Sequence, residues 1–151
     1  MAKLSSAHSD LFSKLEQTSK TNYPSVPDYA RPKPKVSTND ANSLTKAIVQ
    51  WIDLSGGWAT RISTEGRYIE SLGKRIPSSV KKGTADIHAV WKGMHLSIEV
   101  KIGKDKQSDE QKQIQRAIEK AGGYYFIAKT FEHFYQWITN LTHTINVQSH
   151  Q

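Results

Sequence analysis

Cysteine is absent from the 151 residues, which excludes disulfides, thiol catalysis and every cysteine-based zinc site. No apolar run approaches the ~18 residues of a membrane span. The first seventeen residues lack the continuous apolar stretch of a secretion signal. Negative charge is in short supply: 14 Asp and Glu stand against 21 Lys and Arg, a formal net charge of +7. No phosphate-binding loop of the G-x-x-x-x-G-K-[ST] type occurs, nor a G-x-S-x-G elbow, nor an H-E-x-x-H zinc helix, nor a zinc-finger or basic-zipper pattern. His95, His133, His143 and His150 show no paired metal spacing. These absences predict a soluble, cytoplasmic chain without a membrane partner. The excess of cations favours a polyanionic partner, of which nucleic acid is the commonest.

The chain is long enough for one compact domain plus some irregular segments. Leu4, Ala7, Leu11, Phe12 and Leu15 recur at helical spacing, which predicts an amphipathic helix over 3–19. The stretch 21–40 holds four prolines and little apolar content, and reads as an extended linker with no core of its own. Residues 1–40 are accordingly expected outside the folded domain, as helix and linker or as disordered chain. The domain is expected over 41–142, followed by a tail over 143–151.

Within the domain, Leu44, Ala47, Ile48, Trp51 and Ile52 form the apolar stripe of a helix, with Asn42 or Ser43 as N-cap and Gly56-Gly57 as the stop. A strand is expected over 58–64, then a basic, loop-like stretch over 65–83. Two strands follow, over 84–91 and 93–102, joined at Lys92-Gly93 by a tight hairpin turn. Ser108 then caps a helix that Gly122-Gly123 ends, 124–130 alternates as a strand, and 131–143 closes as a helix. The order is helix, three strands, helix, strand, helix, which predicts an α/β mixed sheet flanked by helices.

The third strand carries two charges in an apolar run. Leu96, Ile98, Val100 and Ile102 fall on one face, and Ser97, Glu99 and Lys101 on the other. In the preceding strand Asp86 and His88 share a face, so hairpin pairing sets Asp86 beside Glu99 and Lys101. Two neighbouring carboxylates repel, raise a pKa or take a cation. Oxygen-rich sites suit Mg²⁺ or Mn²⁺, which retain waters and bind phosphate oxygens. A nearby lysine adds a point charge for a water or for developing negative charge. Glu99 and Lys101 alone fit better a solvated strand face with an ion pair worth under about 1 kcal/mol; their surroundings carry the other reading.

The stretch 83–111, "GTADIHAVWKGMHLSIEVKIGKDKQSDEQ", resembles the PD-(D/E)XK nuclease superfamily, and within it the VRR-NUC (virus-type replication-repair nuclease) family. Gly66, Gly83 to Asp86, Glu99 to Lys101, Ser108 to Gln111 and Gly122-Gly123 match that family's motifs in order, over roughly residues 42–135. The resemblance implies a restriction-endonuclease-like fold of αβββαβα order and a metal-dependent DNA endonuclease of replication, repair or recombination. It implies that Asp86 and Glu99, with the Val100 carbonyl, hold Mg²⁺ or Mn²⁺. Lys101 would position or activate the attacking water, and Gln111 would point into the site. Ser108-x-x-Gln111 is also a capping box, and both roles stay open. Two departures stand: Ala85 replaces the family's proline, and the first helix has no glutamate, only Asp40, Asn42 and Ser43 near its start. The number of metals therefore stays open.

Arg61, Arg67, Lys74, Arg75, Lys81 and Lys82 are candidate phosphate contacts beside this site, Arg67 and Lys82 foremost because they flank its glycines. The implied partner is branched or structured DNA, including four-way junctions, cut by a homodimer. The rival from another class is a non-catalytic DNA-binding or docking module with the same fold. A nucleic-acid-binding protein of unrelated fold, its Glu-x-Lys accidental, is a third.

Overall fold

The computed structural model describes residues 5–148. Its core is a four-stranded mixed sheet, flanked by helices. The helices are α1 (Ser6–Asn22), α2 (Ala41–Leu54), α3 (Asp109–Lys120) and α4 (Phe131–Gln148). The strands are β1 (Trp58–Arg61), β2 (Arg67–Ile69), β3 (Lys74–Ile76), β4 (Ile87–Trp91), β5 (Met94–Val100) and β6 (Tyr124–Ala128). The sheet order is β1-β4-β5-β6, while β2 and β3 pair only with each other. β1, β4 and β5 are antiparallel neighbours, and β6 joins β5 in parallel after the crossover through α3.

The hairpin that sets the site's register forms at Lys92-Gly93, as expected. Trp91 pairs with Met94, and Lys92 and Gly93 take φ of 49° and 80°. Positive φ at both central residues gives the twist that suits a two-residue hairpin. Ile87, Ala89 and Trp91 then share a buried face with Leu96, Ile98 and Val100. Leu44, Ile48 and Ile52 of α2 and Phe131, Phe134 and Ile138 of α4 complete that core. α3 lies on the opposite, polar face.

Five expectations are corrected. The folded part begins well before Asp40, because α1 packs on α2 and α4 and sinks Ala7 and Leu11 into the core. Trp51 also donates from Nε1 to Asp10 Oδ2 (2.7 Å), fixing α1 to α2. Of the expected helix 3–19, residues 3 and 4 lie outside the described residues, and the helix runs on to Asn22. The cap of α2 is Asp40 rather than Asn42 or Ser43: its carboxylate accepts from the Ser43 N–H, and the Ser43 hydroxyl accepts from the Asp40 N–H. The stretch expected as a loop holds the β2–β3 ribbon. The expected tail is largely the end of α4, with residues 149–151, and so His150, outside the described residues.

Candidate active site

Asp86 sits one residue before β4, where the chain has just entered the sheet. Its carbonyl accepts from the Ile62 N–H (2.7 Å), which keeps it beside β1. Continuing the register past Ile87–Ile98 sets Asp86 opposite Glu99, on the polar face. There is no β4 backbone left to meet the Val100 N–H, and Asp86 Oδ2 takes it instead at 2.9 Å. The aspartate thus completes the ladder with its side chain.

Glu99 is only 2% exposed. Its Oε1 accepts from Lys101 Nζ (3.1 Å) and Gln111 Nε2 (2.5 Å), whereas its Oε2 is buried without a partner. Burial, then the charge of Asp86, push the Glu99 carboxyl above the ordinary carboxylate range, and Lys101 and Gln111 offset this only in part. Lys101 also pairs with Asp105 (3.5 Å). Burial works to lower its ammonium pKa, but the bonds and charges of Glu99 and Asp105 outweigh it and hold the value above that of a free lysine. Lys101 is therefore a charged group at neutral pH. As a protonated ammonium it can donate hydrogen bonds and offset negative charge, and it has no lone pair with which to accept a proton.

Gln111 fills both roles left open by its sequence. Its Oε1 accepts from the Ser108 N–H (2.9 Å) while its Nε2 reaches Glu99, so one side chain caps α3 and ties it to β5. Gly83 allows this approach. It takes φ of +85°, and a Cβ there would lie 2.6 Å from the Glu110 carbonyl carbon and 2.9 Å from the Gln111 nitrogen. The same approach brings Lys82 onto Glu110 at 2.5 Å. That bond raises the Lys82 ammonium and pulls the Glu110 carboxyl down to about 2.

The remaining predicted residues are scattered around this centre. Arg67, on β2, and Lys81 are exposed. Arg61 is elsewhere: it pairs with Ile87, shares the face of α2, and donates from Nη2 to Asn42 Oδ1 (2.7 Å). It does not share the polar face with Glu99. His88 lies further along that face, with Nδ1 3.4 Å from His95 Nε2. Burial, then the His95 charge, lower His88 below an ordinary imidazole, and its Nε2 is buried without a partner.

Asp105 and Tyr125 escaped the sequence reading, which placed Ser97 on the polar face without a role. Asp105 follows Lys101 by four in a loop, a spacing with no meaning until the loop folds back. Ser97 and Tyr125 face each other across the parallel β5–β6 register, and both hydroxyls are buried without a partner. Burial, with the carboxylates of Glu99 and Asp86 adding to it, pushes the Tyr125 phenol up to about 12. Gln107 approaches the hydroxyl and offsets part of that rise, yet no hydrogen bond of ordinary geometry joins them. Parallel register depends on the crossover helix, so strand patterning gave no signal for this pair.

Two carboxylates, one of them with a buried unpaired oxygen, make a site short of positive charge. That donor set fits a hard divalent cation, which takes one or two carboxylates and keeps waters. Among the described residues no group of three or more Asp, Glu, His or Cys side chains is gathered to hold a metal. Further ligands would fall to the Val100 carbonyl, water and substrate oxygens. No family model, curated protein or solved structure matches the chain.

Proposed function

We propose that this chain is a divalent-metal-dependent DNA phosphodiesterase, an endonuclease of VRR-NUC type built on a restriction-endonuclease-like fold and acting on intracellular DNA. One observation carries the reading: Asp86, Glu99, Lys101 and Gln111 converge from two strands and a helix start, and Glu99 keeps a buried, unpaired oxygen at that point. Within the four-stranded sheet the order after α1 is α2, β1, β4, β5, α3, β6, α4, with the β2–β3 ribbon inserted after β1, and that order supports the reading.

Asp86 and Glu99, with the Val100 carbonyl, would hold Mg²⁺ or Mn²⁺. When bound, the ion supplies positive charge against the phosphate oxygens and lowers the pKa of water. Lys101, charged and only 11% exposed along its side chain, orients a water and offsets charge developing on the phosphate. Gln111 fixes the Glu99 carboxylate in one orientation. Asp86 is held by the Val100 N–H, so neither acid has to be ordered when substrate arrives. A small domain presents little surface for reading bases, which favours branched DNA. Two such chains about a two-fold axis would suit paired nicks on a four-way junction.

A second reading is a binding module that keeps the fold without cutting. It is favoured by the lack of a glutamate in the first helix, where Asn42 is present near the start and its carbonyl is occupied by Arg61. Cleavage of labelled duplex, single-stranded, flap and four-way junction DNA in Mg²⁺, Mn²⁺ or EDTA separates the two. Metal-dependent cutting lost in Glu99→Ala and Lys101→Ala is expected. Binding without cutting, unchanged by either substitution, would move the assignment to the module.

A further inference from the structure

Residues 67–76 do little for the fold. Between Arg67 and Ile76 every residue except Ile69 is exposed, and among the described residues β2 and β3 have no other strand as neighbour. A lone two-stranded ribbon is marginal in water. Yet this one displays Tyr68, Leu72 and Ile76 at 61%, 56% and 40% exposure. The register gives each face a mixed character. Tyr68 stands opposite Arg75 on one, and Arg67 opposite Ile76 and Ile69 opposite Lys74 on the other. Leu72 ends the short helical turn at the tip, where Gly73 reverses the chain in the left-handed region (φ 57°). Three cations are countered only by Glu70 within the ribbon.

The ribbon is anchored at the rim of the candidate site. At its base Arg75 Nε donates to the Gly66 carbonyl (3.2 Å), and a Cβ on Gly66 would lie 2.6 Å from the Ile76 oxygen. This base opens on a cleft of about 520 Å³ lined by Gly66, Arg75, Lys82 and Gly83 among others. Gly83 in turn touches Glu110 and Gln111, and Gln111 holds Glu99.

We propose that the β2–β3 ribbon is a DNA-docking arm that enters a groove of the duplex flanking the cleaved phosphate. Arg67, Lys74 and Arg75 meet backbone phosphates, while Tyr68 and Leu72 lie against sugars and base edges. The inference rests on the nuclease reading and adds to it the element that grips double-helical DNA. Charge complementarity selects the partner: exposed apolar side chains interleaved with cations suit a polyanion whose grooves also offer sugar carbons and thymine methyls better than a neutral protein surface. The size fits as well. Three residues per strand extend about 10 Å, and the major groove is roughly 12 Å wide, 8.5 Å deep and admits a two-stranded ribbon.

The test is fluorescence anisotropy of the full chain with labelled duplex and four-way junction in EDTA across a salt series. The variants are Arg67→Gln/Lys74→Gln/Arg75→Gln, Tyr68→Ala/Leu72→Ala, and a charge-matched control, Lys20→Gln/Lys33→Gln/Lys35→Gln. The ribbon triple variant is expected to raise Kd about tenfold or more. It should also flatten the salt slope by about 2 to 3, since each phosphate that is no longer neutralised takes about 0.9 from it. The apolar pair should weaken binding with the slope unchanged, and the control should stay within roughly twofold of wild type. Melting should match wild type in all three, since these side chains lie outside the core.

Four results would overturn the proposal: no DNA binding by wild type, an unchanged Kd and slope in the ribbon triple variant, an equal loss in the control, or ribbon variants that turn a dimer into a monomer with unaltered DNA affinity. The last would make the ribbon a contact between copies of this chain. Because binding is read in EDTA, it stands apart from cleavage. Ribbon-dependent binding by a wild type that cuts nothing would sustain the arm and remove the nuclease. Cutting with unchanged KM in the ribbon variants would do the reverse.

Discussion

Asp86 performs two separable tasks, and two substitutions pull them apart. Its Oδ2 is the acceptor for the Val100 N–H (2.9 Å), and Val100 is only 5% exposed. Asp86→Ala removes that acceptor and leaves a buried donor unpaired. A hydrogen bond to a charged group contributes about 1.5–3 kcal/mol. Against this, the substitution also removes the negative charge that raises the cost of ionised Glu99. The net loss is then on the order of 1–2 kcal/mol. At about 2–4 °C per kcal/mol for a chain of this size, the metal-free melting temperature should fall by roughly 2–8 °C. Asp86→Asn keeps an oxygen for Val100 and removes the charge. Its metal-free melting should stay level with wild type or rise. Under Mn²⁺ at a hundred times Kd, wild type should gain about 2.7 kcal/mol, and neither variant should gain it. Differential scanning fluorimetry, with and without Mn²⁺, reads all of this. An Asn variant as unstable as the Ala variant would refute the hydrogen-bond argument. An Asn variant stabilised by Mn²⁺ as wild type is would remove Asp86 as a ligand.

Further outcomes follow from other parts of the fold. Leu11→Ala should lose about 2–5 kcal/mol in urea unfolding, the range for truncating a fully buried leucine, because Leu11 is 1% exposed within the core; a loss under about 1 kcal/mol would mean that α1 is not docked. Gly83→Ala places a Cβ against the start of α3 at a φ of +85°, so it should cost about 1–3 kcal/mol and slow cleavage; unchanged stability would show that Gly83 is not held there. The Tyr125 phenol ionises near 12 when folded against 10.0 when free. Folded protein therefore holds its proton longer than unfolded, and stability is full below pH 10 and declines as pH climbs toward 12. Tyr125→Phe should make that alkaline slope shallower, measured by denaturation at pH 9 to 11.5, with Lys101, whose pKa is also raised, supplying part of the remainder, and an unchanged slope would place the titration elsewhere.

The parts that were legible in the sequence are those decided by neighbours in the chain. Lys92-Gly93 specifies its turn, the turn sets the β4–β5 register, and the register puts Asp86 across from Glu99. Ser108 and Gln111 specify the start of α3 in the same local way. What escaped depends on distant contacts or on their absence. α1 has an ordinary amphipathic pattern, and nothing in it says that Ala7 and Leu11 meet α2 and α4 rather than solvent. The β2–β3 ribbon buries neither face, so it lacks the alternation by which a strand is recognised. Arg61 belongs to the same basic sequence region as Arg67, but its strand parity sends it to the face of α2 and Asn42. The cap of α2 fell to Asp40 because an Asp two residues earlier offers the same acceptor chemistry as Asn42.

The central claim is that Asp86 and Glu99 together hold one divalent cation beside Lys101. Electron paramagnetic resonance of Mn²⁺ titrated into the chain addresses it without any DNA. The account predicts saturable loss of the free-ion signal in wild type, absent in Glu99→Gln and Asp86→Asn and retained in the charge-matched Lys20→Gln/Lys33→Gln/Lys35→Gln control. Equal Mn²⁺ binding by wild type and Glu99→Gln would contradict it.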